Sequence, residues 1–535
     1  MYAKLICILH NLIQFTTMQQ VRQSLLKSHE IQNAFGTLFL VFLFTFLVWY
    51  VQYHWKRRHL YRAARQRPGP FPLPLLGNGL YFVGSTSDIL YNALKLTSHY
   101  KSPMRVWLGT KLFFAIYEPK DLETILNSPY ALEKEELYKF AQPLVGTGLF
   151  TAPVPKWKRH RKVIMPTFNQ KILDEFVPVF VEQSMILVEQ LKNEVGKGEF
   201  NIFYYVSRCT LDIICETAMG TTVKAQTNDS DYVKWANTVM EIAYRRMFNI
   251  WYHFDFIFKL TPYNKQLNET ISKMHNFTGT VVRQKREAYQ KKCKEMKTMP
   301  EGYVDDEPVR RKTFLQQLIE LSEEGAKFTD EELREEVDTF MVAGSDTTAS
   351  MNSFTFMMLG MYPEIQEKVY EEVIDVLGPD KPVECTDLNK FQYMERVMRE
   401  TMRMFPVGPM LPRTITQDIK LETCTVPAGS SVVMVLIAMH WDPEIYPDPF
   451  KFDPDRFLPE EVARRHPYSW LAFSGGPRNC VGPKYAFMAM KALVATVIRK
   501  YKFSSEYKRI EDIRLKADLM LKPIDGYKVS IELRK

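Results

Sequence analysis

The segment FSGGPRNCVG, which begins at Phe473, contains a cysteine in a setting that favours a thiolate. A helix is predicted directly after it, and the backbone N–H groups of a helix N-terminus lower the pKa of a nearby thiol. Gly476 and Gly482 would let the backbone approach a flat macrocycle, where a Cβ would collide. Arg478 has the reach to pair with an acidic group on that macrocycle. A buried cysteine in a glycine-rich turn is the common alternative, but this combination predicts that Cys480 binds a metal as a thiolate.

Polar residues also interrupt a long apolar pattern that has helical spacing. Residues 329–332 match a capping box, and helical spacing then continues to the residue before Pro363. Asp346 and Thr347 lie near the middle of this pattern, shortly after Gly344. Threonine side chains often bond the carbonyl four residues earlier, which would explain Thr347 without a function. That alternative does not explain a carboxyl group in an apolar helix, so Asp346 indicates a functional site.

The elements that must position these residues are mainly helical. Helical spacing predicts further helices over residues 364–376, 391–405 and 481–501. Short strands are predicted over residues 419–426 and 431–437, and a closing hairpin over residues 514–533. No glycine-rich phosphate loop is visible, which argues against a dinucleotide site. The sequence therefore predicts a mainly α protein with a smaller β region.

The N-terminal part predicts a membrane anchor. Residues 34–51 carry no charge over eighteen positions, close to the roughly 20 that a helix needs to cross the hydrocarbon core. Six basic residues follow between positions 56 and 67, against three before the span, which favours a lumenal N-terminus and a cytosolic body. A cleaved signal peptide is disfavoured because it would have a shorter apolar core and end in small residues. Translation from Met18 instead of Met1 stays an open alternative.

The resulting organisation has four parts. We expect an extension over residues 1–33, a transmembrane anchor over 34–53, a basic and proline-rich tether over 54–78, and a catalytic domain over 79–535. The net charge of +8 is mild for 535 residues and forms no basic stripe with interleaved aromatics, so we expect no nucleic-acid partner. The seven cysteines are scattered and contain no CxxC pair, which disfavours a disulfide framework and a zinc site.

The cysteine segment resembles the heme-binding signature of the cytochrome P450 superfamily, in which the cysteine is the axial iron ligand. Two further segments carry the same resemblance: ETMR, from Glu400 to Arg403, is similar to the ExxR helix motif, and FDPDRF contains the later Arg456. The resemblance implies the P450 fold, with these three side chains locked together as a structural trio. An isolated Glu/Arg pair at this spacing would ordinarily be a solvated surface pair.

The resemblance also assigns roles around the cofactor. Gly344 would leave room for O2, Thr347 would hold dioxygen by a hydrogen bond, and Asp346 would pass protons inward. Trp157 and Arg161 match a WxxxR pattern that reaches a heme propionate, although a basic surface helix would show the same residues. Arg413, after a proline, is similar to another propionate-binding arginine of the family.

The chain is most similar to family 4 of the superfamily, which includes fatty-acid ω-hydroxylases of the membrane-anchored microsomal type. Many members carry a glutamate before the helix glycine, where it forms an ester to heme; Ala343 stands there in this chain. The resemblance therefore implies heme b held without a covalent bond. It further implies a monooxygenase in the endoplasmic reticulum membrane, with its catalytic domain in the cytosol, that accepts electrons from NADPH-cytochrome P450 reductase and, as a further partner, cytochrome b5.

The substrate stays open between a fatty acid, a terpenoid, a hydrocarbon and a foreign compound. Two other functions are alternatives: a heme-thiolate isomerase or dehydratase of lipid peroxides that needs no reductase, and a non-catalytic heme sensor. The acid–threonine pair at Asp346 and Thr347 disfavours both, because neither function needs residues that deliver protons.

Overall fold

The computed structural model describes residues 2–228, 231–298 and 311–534. The chain divides into two compact units, one up to Gln66 and the other from Arg67 onward. The first unit consists of α1 (Tyr2–Lys56) and α2 (Arg58–Arg65). Within α1, the segment Gly36–Lys56 has a mean hydropathy of 1.7 and none of its apolar window is buried, so by length and composition it is able to cross a membrane.

The second unit is mainly helical, which confirms the predicted fold class. Its helices are α3 (Thr86–His99), α4 (Pro119–Asn127), α5 (Gln142–Val145), α6 (Val154–Ile164), α7 (Gln170–Asp174), α8 (Val177–Leu191), α9 (Phe203–Ile214), α10 (Asp231–Phe248), α11 (Asp255–Lys259), α12 (Pro262–Thr298), α13 (Phe314–Leu321), α14 (Asp330–Met361), α15 (Pro363–Leu377), α16 (Cys385–Leu388), α17 (Gln392–Met404), α18 (Leu436–His440), α19 (Pro459–Arg464) and α20 (Pro483–Ile498).

The strands form small sheets at the edges of this helical body. They are β1 (Met104–Leu108), β2 (Lys111–Ile116), β3 (Glu133–Lys134), β4 (Phe200–Asn201), β5 (Met410–Thr414), β6 (Ile419–Lys420), β7 (Thr425–Val426), β8 (Ser431–Val435), β9 (Tyr501–Ser504), β10 (Leu515–Ala517), β11 (Leu521–Pro523) and β12 (Lys528–Leu533). One sheet has five strands in the order β1–β2–β8–β5–β3, in which β2 and β8 are parallel and the other neighbours antiparallel. The strand expected over residues 419–426 is instead the hairpin β6–β7, because Leu421 bonds Cys424 across a tight turn.

The long helix α14 carries the central polar residues into the body of the second unit. Its N-cap Thr329 accepts a hydrogen bond from the backbone N–H of Glu332, and Glu332 bonds back to the cap, as the sequence predicts. The 32 residues give the helix a length of about 48 Å. Its second half is buried, and Phe354 there stacks on Phe405, the residue after α17, with ring centroids 4.3 Å apart.

The proline-rich residues after Arg67 lie on the edge of the five-stranded sheet. Arg105 of β1 donates its backbone N–H to Pro68 (2.9 Å), and the buried Asn78 side chain accepts from Trp107 (2.9 Å) and donates to Phe71 (3.0 Å). A proline lacks an N–H but keeps its carbonyl, so such a segment can accept from an edge strand. From the sequence these residues belong to the tether; in the structure they are packed on the second unit.

Candidate active site

A cavity of about 350 Å³ lies between α14 and the segment that precedes α20. Its wall contains nine of the residues singled out from the sequence: Trp157, Arg161, Gly344, Thr347, Arg413, Phe473, Arg478, Cys480 and Gly482. The others, Asp346, Gly476 and the Glu400–Arg403–Arg456 trio, do not line it. The structure therefore brings most of the predicted residues together around one space and separates a smaller group from it.

The cysteine segment folds into a tight turn that presents its sulfur to the cavity. Cys480 donates its backbone N–H to Phe473 (3.0 Å), and Gly482, the N-cap of α20, donates its N–H to the Cys480 sulfur (3.3 Å). Burial raises the pKa of the Cys480 thiol, although the amides of Gly482 and Val481 and the charge of Arg161 act in the opposite direction. The expected lowering of this pKa by the helix end is thus outweighed by burial. A metal ion bound to the sulfur would itself remove the proton.

The structure explains the need for glycine at position 476 differently from the sequence. Its φ is +66°, and a Cβ there would lie 2.0 Å from the carbonyl oxygen of Leu126. Glycine is therefore required by the turn against Leu126 and not by the approach of a flat group. At Gly482 the nearest protein atom to an added Cβ would be a ring carbon of Phe168 at 3.6 Å, an ordinary contact, so the protein itself does not require glycine there.

Three cations at the cavity wall form no ion pair with the described residues: Arg413 and Arg478, which are buried, and Lys134, which is partly buried. Arg478 donates to the carbonyl of Ala152 (2.5 Å), but its Nε and Nη1 have no hydrogen-bond partner. Arg413 donates to the carbonyl of Pro412 (3.0 Å), and neither it nor Lys134 has an ion pair in the described part of the chain. Burial lowers the pKa of Arg478 to about 10, and burial with the charges of Arg413 and Arg478 lowers the pKa of Lys134 well below its usual range. The described residues that line the cavity include no Asp or Glu.

Lys134 is a site residue that the sequence does not reveal. It lies in the charged run EKEELYK, which is typical of a solvated surface. In the structure β3 pairs with β5, and Lys134 lies opposite Arg413 in the register. Its ammonium group is also 4.4 Å from the ring centroid of Tyr138 and 4.9 Å from that of Phe150.

The tryptophan and the arginine of the WxxxR pattern in α6 make different contacts. Trp157 is buried, and its ring lies 4.8 Å from the guanidinium carbon of Arg478. Arg161 donates to the backbone carbonyl of Asn479 (2.7 Å) and to the Asn479 side chain. Arg161 thus ties α6 to the residue before the cysteine, while Trp157 supports the arginine of the cation group.

The acid and the threonine of α14 also point to different places. Thr347 lines the cavity, and its hydroxyl donates to the carbonyl of Ala343 (2.5 Å), the helical bond that the sequence offers as its ordinary alternative. Asp346 lies outside the cavity wall and forms an ion pair with Lys522 of β11 (3.1 Å). Gly344 lies at the wall, where an added Cβ would be 2.7 Å from the side chain of Ile214.

The Glu400–Arg403–Arg456 trio is a buried, well-bonded cluster apart from the cavity. Glu400 and Arg403 are fully buried and joined by two bonds, Nε–Oε2 at 2.7 Å and Nη2–Oε1 at 2.9 Å. Arg456 places its Nε 3.5 Å from Glu400 and donates to the carbonyl of Pro447 (2.6 Å). This arrangement fits the structural role that the resemblance implies.

A second cavity of about 400 Å³ adjoins the first. Ala343, Thr347, Thr339, Phe150 and Leu411 line both, so the middle of α14 lies at their junction. Most of the second cavity wall is apolar, and α3, β1, β2, α10 and the residues between β10 and β11 contribute to it.

The comparison with known proteins decides the family. The family model for cytochrome P450 matches residues 67–531. The chain is 38% identical to cytochrome P450 4c3 of Drosophila melanogaster, covering 95% of this chain and 97% of that protein. It is 36% identical to cytochrome P450 4V2 of Mus musculus, covering 93% and 94%. The chain belongs to the cytochrome P450 family.

Among solved structures, the cytochrome P450DA heme domain shares the fold of this P450, with a TM-score of 0.73 at 21% identity over 88% of this chain and 97% of that one. As a family member, the chain is a cytochrome P450 monooxygenase, and the family implies heme b. The cavity fits that group: heme carries an iron and carboxylate side chains, and the wall offers one thiol that faces the cavity and three cations that form no ion pair with the described residues.

Proposed function

We propose that this P450 hydroxylates a lipophilic substrate, of the fatty-acid, terpenoid, hydrocarbon or xenobiotic class, with O2 and with electrons that come from NADPH through a separate reductase. The observation that carries the proposal is the uncompensated cation group beside the cavity-facing Cys480. Heme, when bound, supplies the activation of O2. Cys480 would be its iron ligand, and a thiolate ligand donates electron density that favours cleavage of the O–O bond.

The cation group would hold the carboxylates of heme. Arg478 and Arg413 are buried, Lys134 is partly buried, and Arg478 has two donors without a partner. An Arg–carboxylate pair is stronger than a neutral hydrogen bond. We further propose that the heme is not covalently attached, because Ala343 offers no carboxyl group and the described cavity wall contains no other.

Thr347 and Asp346 would take part in proton delivery to dioxygen. Thr347 lies at the junction of the two cavities, and its hydroxyl can turn from the Ala343 carbonyl to donate to dioxygen. Asp346 lies half-buried beside Lys522, where it can exchange protons with solvent and pass them toward the threonine.

We also propose where the electrons enter and where the protein resides. Lys158 and Lys162 of α6 and Lys484 of α20 are exposed and basic, which suits an acidic donor such as NADPH-cytochrome P450 reductase, or cytochrome b5. The apolar segment Gly36–Lys56 would anchor the chain once in the endoplasmic reticulum membrane, with the catalytic unit in the cytosol.

The first experiment is spectroscopic. The purified, reduced protein is expected to bind CO and to give the Soret band of a thiolate-ligated heme, and Cys480→Ser is expected to abolish that band. Cys424→Ser is the matched control, because Cys424 lies outside both cavities. An unchanged band in Cys480→Ser would refute Cys480 as the ligand. Turnover of a lipid hydroperoxide without NADPH, and no hydroxylation with NADPH and reductase, would refute the monooxygenase.

A further inference from the structure

The wall of the second cavity suits an uncharged ligand. The described residues that line it include no Lys, Arg or His, and its single charged member is Asp518, in the turn between β10 and β11. The polar remainder consists of Thr97, Tyr138, Thr339 and Thr347. A ligand whose reacting carbon lies at Thr347 would place the rest of its length along this apolar wall.

Two lysines close to the wall of this cavity already make other contacts. Lys134 lines only the first cavity, and its ammonium group is close to the rings of Tyr138 and Phe150, whose side chains also line the second cavity. Lys516 lies 3.1 Å from the carboxylate of Asp518. A ligand carboxylate in the second cavity would therefore lose its water without gaining a cation, and that desolvation is strongly unfavourable.

Asp518 is held firmly at the wall. Its side chain is mostly buried, accepts a hydrogen bond from the hydroxyl of Thr86 at the start of α3 (2.8 Å), and pairs with Lys516. An acid fixed in this position repels a second carboxylate and keeps Lys516 from serving as its partner.

We infer that the substrate of this P450 is a non-ionised lipophilic molecule, such as an alcohol, an ester, a hydrocarbon or a terpenoid, and not a free fatty-acid anion, with Asp518 as the residue that discriminates between them. The inference rests on the proposed function and narrows its substrate class. It follows from the charges of the second cavity and not from the chemistry at the first.

The test compares ligands that differ only in one head group. Dodecan-1-ol, methyl dodecanoate and dodecanoate are titrated at pH 7.4 into the full-length ferric protein loaded with heme, and binding is read from the shift of the Soret band. The two neutral ligands are expected to bind with a Kd at least about tenfold lower than that of dodecanoate, because only the anion is buried without a partner.

The variant Asp518→Asn removes the acid and keeps an acceptor for Thr86. It is expected to lower the Kd for dodecanoate several-fold by releasing Lys516, and to leave the Kd for dodecan-1-ol unchanged. Asp525→Asn is the matched control, since Asp525 pairs with Arg514 (2.6 Å) and lies outside the cavity. This control is expected to change neither Kd.

Three results would overturn the inference: dodecanoate that binds as tightly as the neutral ligands, a preference that Asp518→Asn does not alter, or no shift with any of the three ligands in a protein that shows the CO band. Failure of the proposed function gives a different signature. In that case a neutral ligand binds tightly, but NADPH and reductase yield no hydroxylated product from it.

Discussion

Two buried groups of charged side chains in this P450 differ in how their charges are balanced. In the first, Glu400 bonds Arg403 at two points, and Arg403 also donates to the backbone carbonyls of His440 and Pro449. In the second, Arg478, Arg413 and Lys134 face the cavity and form no ion pair with the described residues. In the balanced group, Glu400 and Arg403 compensate each other, so removing either one strands a buried charge. The unbalanced group gains such compensation when an anion binds.

The two groups are therefore expected to have different roles, one in the stability of the fold and the other in heme binding. Residues of the balanced cluster are expected to matter whether or not heme is present. Residues of the unbalanced group are expected to oppose folding of the heme-free protein slightly and to matter mainly for holding heme.

The largest effect is expected from Glu400→Ala. The change leaves the fully buried Arg403 without its carboxylate, which costs about 3–5 kcal/mol in the free energy of unfolding. Urea denaturation of the heme-free protein, followed by circular dichroism, measures this loss. A change below about 1 kcal/mol, the usual range of an exposed ion pair, would show that the pair is not a structural element.

The next effect concerns Arg478→Met. Loss of this cation is expected to leave the stability of the heme-free protein within about 1 kcal/mol of the wild type, because the Ala152 carbonyl loses one hydrogen bond while the cost of burying an uncompensated charge is removed. Heme affinity should fall by about 1.5–3 kcal/mol, the value of a hydrogen bond to a charged group. Heme transfer to apomyoglobin measures the affinity. Arg499→Met, at a distance from both cavities, is the control and should retain heme normally.

A third prediction uses pH to probe Lys134. Its pKa is lowered in the folded heme-free protein, so it loses its proton at a lower pH than in the unfolded chain. Between those two values the unfolded chain binds more protons, and the free energy of unfolding rises with pH up to the unfolded value of about 10.4. Urea midpoints measured across the alkaline range should rise less in Lys134→Met. Equal slopes for the two proteins would contradict the buried-cation assignment.

The smallest effect on stability is expected at the half-buried ion pair of Asp346 and Lys522. This pair is intermediate between the two groups, because its charges are balanced but partly solvated. Lys522→Met should change the free energy of unfolding by less than about 1 kcal/mol, since water solvates both groups. Its effect should appear as a lower yield of hydroxylated product per NADPH consumed, because Asp346 loses the partner that positions it. An unchanged yield would separate Lys522 from proton delivery.

The sequence predicts well what depends on neighbouring residues. The capping box at Thr329, the end of α14 before Pro363 and the turn that carries Cys480 are short-range features, and the structure reproduces them. The mainly helical class with a small β region follows from periodicity in the same way. The hairpin β6–β7 was less predictable, because two-residue strands leave almost no alternation to detect.

Long-range features came only with the tertiary structure. Lys134 reaches the cation group because β3 pairs with β5, which joins positions nearly 280 residues apart in the chain. Asp346 meets Lys522 and Asp518 lines the second cavity because the β10–β11 hairpin folds back onto α14 and α3. Gly476 owes its identity to the Leu126 carbonyl, which lies far from it in sequence.

By itself, then, the sequence determined the turn that carries Cys480, the capping box and the long helix, because each depends on residues a few positions apart or on a regular period. The trio followed from the family resemblance, since Arg456 lies far from Glu400 and Arg403 in the chain. Only the folded chain decided which charges stay unbalanced. The energy of a buried charge depends on every group around it, and those groups come from distant segments that no local pattern connects.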